Sequence, residues 1–435
     1  MPTQKWTPPD AVDRQSIIAE SRHVLASPKL DISRREDLFE IESAGMPWDI
    51  GVEVFEPSQQ EVAIGPDGRH IGVLLLHGGG HDGRSMAPVA EHLSSYYGYR
   101  VVTLTYPGHL YLLDESRDWP GETIEADGSV RTPLWAKQEP VAPDEYTVVT
   151  FRGDENFHSS YGTVVFAEAK PGTRFYLRMA AWPMAYEEAI KQLCGRYFPD
   201  DQYTIYMHGH STGGPIIHMM LQRVRNVGGL LGAETSPFGC IMREMVPDNW
   251  DQPFNRLTIR TWRDLARYRG TEEGVSLYTR LPKVMEEILD DWAAATRLPG
   301  MKAQHIIQFG VQDSLARSAV VIAEHLKLDS AATAQLVDRY TSYTRPLTAS
   351  EGFTLPPLLY GIAAGSRDHT PERYDNVLLP WLRRHRPDTR HHLVKYGAGV
   401  HKYWKLEQEL PYGILPSVAK IWATAIETGY FDLSS

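Results

Sequence analysis

The hydrophobic pattern along this chain changes period several times, and each change marks an element. Over residues 37–58, DLFEIESAGMPWDIGVEVFEPS, apolar and polar positions alternate on either side of a Gly-Met-Pro turn, which predicts two antiparallel strands at the start of a sheet. IGVLLL at 71–76 and YRVVTLTYPG at 99–108 do not alternate. Continuous apolar runs of this length predict strands covered on both faces, as in a parallel sheet. A helical pattern from Met86 to Tyr97 joins the two runs and makes a right-handed βαβ unit. Residues 109–173 then interrupt the rhythm. They are polar and rich in Pro, Gly, Asp and Glu, and read as an insertion carrying a hairpin-like pair, YTVVTF and TVVFAEA.

Trp182-Pro183 is expected to open the next helix, with Tyr186, Ile190, Leu193, Cys194 and Tyr197 on one face, because proline suits a first helical turn. That helix leads to QYTIYMHGHSTGGPIIHMMLQRVRNV at 202–227, which reads as strand, sharp turn and apolar helix, and then to a short buried strand in GGLLGAETSP at 228–237. Residues 238–350 are mostly helical by periodicity; LPKVMEEILDDWAAATRL, LARSAVVIAEHLKL and AATAQLVDRYTSY carry i, i+3, i+4 apolar faces, and HIIQFG is the one strand-like run. With no strands alternating, this block is expected to cover the sheet as a cap. The α/β pattern resumes in PPLLYGIAAGSRDHTPE (356–372), the helix YDNVLLPWLRRHRP, the strand opening RHHLVKYGAGVHKYW (390–404) and the helix PSVAKIWATAIETGYF. The expected organisation is an N-terminal helical extension (1–36) with Asp10 as its N-cap, a core in two parts (37–237 and 351–435), and the cap at 238–350 between them.

Composition narrows the function classes. The chain has 435 residues, enough for one large α/β domain with insertions. A formal charge of −11 without any Lys/Arg run argues against nucleic acid or an anionic membrane as partner, since both require a basic face. No apolar run approaches the roughly 20 residues that span a bilayer. Two cysteines, Cys194 and Cys240, and a start, MPTQKWTPPDAVDR, that lacks the apolar core of a signal peptide make a reduced, cytoplasmic setting the expectation. His77 and His81 have the spacing of a metal pair, but no third ligand accompanies them, so neither a metal nor another cofactor is expected. The expected partner is a small-molecule substrate, and an assembly of identical chains is compatible with the sequence.

The candidate chemistry sits in Gly209-His210-Ser211-Thr212-Gly213. GxSxG alone is a weak signal, whereas between a strand and a helix it places a serine on a strained turn with its hydroxyl pushed out of the sheet. The helix that follows aims its positive N-terminal end, and the N–H of Thr212, at the place where an oxyanion would form. A serine hydroxyl is a poor nucleophile at neutral pH and needs a histidine base oriented by a carboxylate. His401 follows the last strand in Gly397-Ala398-Gly399-Val400-His401, and Asp368 follows the preceding one in Gly365-Ser366-Arg367-Asp368. Glu234 after GLLGA and Asp313 after IIQFGVQ are alternative acids. His77-Gly78-Gly79-Gly80, at an earlier strand end, can supply a second backbone donor. His208 and His210 are expected to shape the turn, and His391 and His392 to be structural. The aromatics Trp250, Trp262, Tyr268, Tyr278 and Trp292 of the cap read as core.

From about residue 37 onward, outside the insertion and the cap, the chain resembles the α/β-hydrolase superfamily. The resemblance rests on the strand-end HGGG, the GHSTG elbow, the acid loop GSRDHTP, the histidine loop GAGVH and the chain order Ser, acid, His. It implies an eight-stranded, mostly parallel sheet with helices on both faces and a site at the carboxyl ends of the strands. Carried onto this chain, it implies Ser211 as nucleophile, His401 as base and then acid, Asp368 as orienting carboxylate, and the N–H groups of Thr212 and Gly79, with Gly78, as oxyanion hole. Val400, between GAG and the histidine, and the long insertion depart from the pattern. The expected activity is hydrolysis of a carboxylic ester through an acyl-enzyme. Rivals are an amide, thioester, lactone or diketone in the same site, or a non-catalytic binding protein of the same fold. Haloalkane and epoxide chemistry is disfavoured because the resemblance implies an Asp nucleophile for those members, where this chain has Ser211.

Overall fold

The computed structural model describes residues 11–78, 82–107, 134–135, 139–140, 142–152, 163–210, 213–221, 223–233, 315–344, 359–365, 390–396, 403–404 and 413–428. In chain order the elements are β1 (Ala11–Val12), α1 (Arg14–Leu25), β2 (Ile32–Ser43), β3 (Met46–Pro57), β4 (His70–Leu76), α2 (Ala87–Tyr97), β5 (Arg100–Thr105), β6 (Leu134–Trp135), β7 (Glu139–Pro140), β8 (Tyr146–Arg152), β9 (Thr163–Ala169) and α3 (Arg174–Tyr197). They continue with β10 (Tyr203–His210), α4 (Gly213–Leu221), β11 (Val227–Ala233), a helix over 315–325 (α5), α6 (Ser330–Thr341), β12 (Leu359–Gly365), β13 (Arg390–Tyr396) and α7 (Leu415–Thr428).

One nine-stranded sheet runs in the order β1-β13-β12-β11-β10-β4-β5-β3-β2. Every neighbour from β1 to β5 is parallel, and β3 and β2 add two antiparallel strands at one edge. The ninth strand corrects the expected eight. Ala11 and Val12 pair with Lys395 and Tyr396 at the far edge, so the segment expected outside the core completes the sheet. Two residues carry no periodicity, which is why the pattern missed them. The helix that follows is capped by Asp13, whose Oδ1 accepts from the Ser16 N–H at 2.9 Å; Asp10 lies outside the described residues.

The β2–β3 turn also moves. Its two residues are Ala44 and Gly45, at φ 55° and 71°, and Ser43 faces Met46 across it. Two consecutive left-handed residues match the twist of a hairpin, so Met46 and Pro47 begin the second strand. The hairpin expected in the insertion is present, with Tyr146 opposite Ala169 and Arg152 opposite Thr163. Its base is tied to α3, where Glu145 Oε1 accepts the Phe175 N–H at 3.1 Å.

Side-chain alternation along the central strands divides the core between two faces. Leu74 and Leu76 point to the layer of α3, α4, α5 and α6, while Val73 and Leu75 point to α1, α2 and α7. All eight residues of β10 are buried, as a strand at the centre of such a sheet requires. α3 begins at Thr173, whose hydroxyl accepts the Tyr176 N–H at 3.2 Å, and Pro183 lies inside it. The expected start at Trp182 is therefore two turns late: an interior proline removes one hydrogen bond, and the buried flanking residues Trp182 and Tyr186 hold the helix through it.

Residues 315–344 form part of the face layer, although the pattern assigned them to a cap. Leu315, Ala319, Ile322, Leu336 and Tyr340 join the core cluster built on α3, and the Tyr340 hydroxyl donates to the Ala180 carbonyl at 2.9 Å. An i, i+4 apolar stripe says that a helix is buried, not what it is buried against. The runs LPKVMEEILDDWAAATRL, HIIQFG and YDNVLLPWLRRHRP, and the cap aromatics, lie outside the described residues.

Candidate active site

β10 ends at His210 and α4 begins at Gly213, so Ser211 and Thr212 fall between a fully buried strand and an apolar helix. Both glycines of GHSTG are demanded by backbone packing. A Cβ on Gly209 would come within 2.4 Å of the Gly213 carbonyl oxygen and 2.6 Å of the Gly214 nitrogen. The chain therefore doubles back on itself within four residues. A Cβ on Gly213 would lie 2.5 Å from the Leu76 carbonyl oxygen, at the end of β4. Neither collision is with a flexible side chain, and real Cβ atoms do not approach backbone that closely.

The loop after β4 is braced from below. Tyr106, just past β5, donates its hydroxyl to the His77 carbonyl at 2.7 Å and its backbone N–H to His77 Nε2 at 3.4 Å. His77 Nδ1 contacts the Gly78 carbonyl at 2.7 Å. A carbonyl only accepts and an amide only donates, so the hydrogen sits on Nδ1 and the ring is neutral. With both nitrogens engaged, His77 is not placed as a metal ligand, and among the described residues no group of three His, Cys, Asp or Glu could hold a metal.

A second buried histidine links β10 to the chain segment after β13. His208 Nδ1 hydrogen-bonds the Leu231 carbonyl on β11, and Nε2 accepts from the Tyr403 hydroxyl at 2.8 Å. Burial pushes the His208 pKa down to about 4, against the opposing pull of the Leu231 carbonyl, so this ring too is neutral near pH 7. His210 packs edge-on to Trp404, with centroids 4.7 Å apart, and Tyr403 and Trp422 close the cluster. Tyr403 and Trp404 lie two and three residues beyond His401, and His210 is the residue before Ser211. The segment that follows the candidate base is thereby pinned to the strand that delivers the candidate nucleophile.

The strand order β13-β12-β11-β10-β4-β5-β3-β2, parallel except at the β3 and β2 edge, and a central strand that leads through two obligatory glycines into a helix decide the architecture. The chain has the α/β-hydrolase fold. No family profile and no curated protein matches its sequence. Among solved structures it is similar to a soluble variant of monoglyceride lipase from Saccharomyces cerevisiae, at 14% identity over 91% of this chain and 96% of that one, TM-score 0.37. It is also similar to a lipase in its open form, at 17% identity over 91% and 99%, TM-score 0.39, and to a thermophilic esterase from Thermogutta terrifontis, at 14% over 90% and 99%, TM-score 0.35.

In this α/β-hydrolase fold the parallel strands bring their carboxyl ends to one edge. Gly78 is described and buried in the loop after β4. Ser211, Thr212, Gly79, Asp368, His401, Glu234 and Asp313 lie outside the described residues; only their distance in sequence from the described strand ends is fixed. Glu234 follows Ala233, which pairs with His210. Asp368 comes three residues (368 − 365) after Gly365 at the end of β12, and His401 five residues (401 − 396) after Tyr396 at the end of β13. His391 and His392 lie within β13. Pattern reading missed Tyr106, Tyr403 and the role of His208. The parity of Tyr206, His208 and His210 places the two histidines on the face that α7 covers, which the sequence could have shown; the contacts of the two tyrosines leave no local signal. Among the described residues, no helix is long and apolar enough to cross a membrane.

Proposed function

We propose that this protein is a serine hydrolase that cleaves a carboxylic ester, with Ser211 as nucleophile, His401 as base and Asp368 as the carboxylate that orients it. The observation that carries this reading is the backbone collision at Gly209 and Gly213: a turn that tolerates no Cβ at either glycine is one built to present the residue at its apex. Ser211 would attack the ester carbonyl while His401 takes its proton, and the oxyanion would be met by the N–H groups of Thr212 and of Gly78 or Gly79. The protonated histidine then gives its proton to the leaving alcohol, and water activated by the same ring releases the acid. The substrate is a small molecule, and the aromatic content of 238–350 favours a bulky or aromatic one. Turnover of p-nitrophenyl esters of graded acyl size by wild type and Ser211→Ala tests this. Ser211→Ala should lower kcat by roughly 10⁴ or more with an unchanged circular dichroism spectrum, and retained turnover in that variant would sink the mechanism. Faster turnover of the acetyl ester than of every bulky one would remove the substrate preference.

A further inference from the structure

Tyr106 is fully buried just past β5, and its hydroxyl and its N–H both address one residue of the neighbouring loop. Its hydroxyl holds the His77 carbonyl at 2.7 Å and its N–H meets His77 Nε2, while His77 Nδ1–H holds the Gly78 carbonyl at 2.7 Å. The tyrosine ring cannot swing away. It lies on the His77 ring at 3.9 Å between centroids and stacks on Tyr186 at 4.8 Å, and the Trp182 indole N–H donates to the carbonyl of Pro107, the next residue.

In a planar trans peptide the C=O and N–H point in opposite directions. Holding the His77 carbonyl therefore fixes the direction of the Gly78 N–H, and the His77 ring holds the Gly78 carbonyl as well. The Gly78 N–H is one of the amides that the proposed reaction would use as an oxyanion donor. Donors of this kind lower a barrier only when they are aimed before charge develops, and a run of glycines has the most backbone freedom to lose. We infer that Tyr106 is a positioning residue of the oxyanion hole, acting through the His77 carbonyl and ring. The inference rests on the serine hydrolase reading above and deepens it.

Tyr106→Phe keeps the ring and deletes the hydroxyl. It should lower kcat about 10- to 100-fold, less than the roughly 10²–10³ that loss of a whole donor costs, with KM within about twofold of wild type. Affinity for an alkyl boronic acid, whose tetrahedral adduct places an oxyanion in the hole, should fall in parallel, while affinity for the uncharged ether analogue of the ester should not change. His77→Gln, which removes the ring bridging the same groups, should give the same split and replaces Tyr106→Phe if that variant does not fold. Wild-type kcat and boronate affinity in a folded variant would overturn the inference, as would equal loss of boronate and ether binding. Wild-type protein that neither turns over esters nor reacts with a fluorophosphonate would overturn the serine hydrolase reading itself, and the inference with it.

Discussion

On one face of the sheet, Glu187 of α3 is 4% exposed. It accepts from Arg339 Nε at 2.9 Å and the Tyr343 hydroxyl at 2.7 Å, with Arg223 Nε at 3.5 Å. On the other face, His208 of β10 is fully buried and holds one acceptor and one donor, the Leu231 carbonyl and the Tyr403 hydroxyl. Burial alone would raise the Glu187 pKa, but Arg339 and Arg223, with the hydrogen bonds of Arg339 and Tyr343, bring it below the usual carboxylate value. The first centre is charged and joins α3 to the 315–344 layer; the second is neutral and joins two strands to the segment beyond His401. A buried charge whose partners come from α6, from just past it and from just past α4 holds the fold, and removing it takes the counter-charge from Arg339 and Arg223. A neutral hydrogen-bonded pair brings no net charge to desolvate and sets local geometry.

The division is broken most sharply by exchanging carboxylates. Asp368→Asn should lower kcat about 10⁴-fold with melting temperature unchanged, because a carboxylate that holds an imidazole tautomer acts on the reaction alone. Glu234→Gln and Asp313→Asn should cost far less, and kinetics on the three purified variants would reassign the acid if either proved more damaging. Glu187→Gln should do the reverse, costing about 3 kcal/mol in urea unfolding while kcat per folded molecule is kept. Loss of kcat without loss of stability there would erase the distinction between the faces.

The pH dependence of stability sharpens it further. His208 is pushed down to about 4 by burial from an ordinary value of 6.5, so between those values the unfolded chain binds a proton that the folded chain does not. Stability is therefore full above pH 6.5 and falls as pH drops towards 4, by about 3 kcal/mol for this group at about 1.4 kcal/mol per unit. His92, lowered to about 4 by burial and then by the charge of Lys29, adds a loss of the same sign. His208→Asn should remove about half of the combined slope in unfolding free energy between pH 6.5 and 4.5, and an unchanged slope would mean that His208 is not held neutral. The smallest effect is expected from Tyr403→Phe: about 1 kcal/mol in stability and about tenfold in kcat, where a loss of stability without any change in kcat would detach the Tyr403 segment from the site.

The central strands were legible because short apolar runs ended by glycine have few other readings, and the change from strand to helix was legible because Gly209 and Gly213 fall where the period changes. Three things were not. Ala11 and Val12 form a strand of two residues, too short to show a period. Pro183 resembles a helix start, and only the cap at Thr173 shows that two turns precede it. Residues 315–344 show the same apolar stripe whether they lie over strand ends or along α3. At the site, the contact of Tyr106 with His77 spans 29 positions and that of Tyr403 with His208 spans 195. Both depend on which strands become neighbours, and sequence spacing does not carry that information.

The central claim is that the turn between β10 and α4 presents a nucleophilic serine. Incubation with a fluorophosphonate, followed by intact-mass measurement and peptide mapping, tests it most directly. The account predicts one covalent adduct per chain on the peptide containing Ser211, abolished in Ser211→Ala and slowed in Tyr106→Phe; no adduct on the wild-type chain, or an adduct on another residue that survives Ser211→Ala, would contradict it.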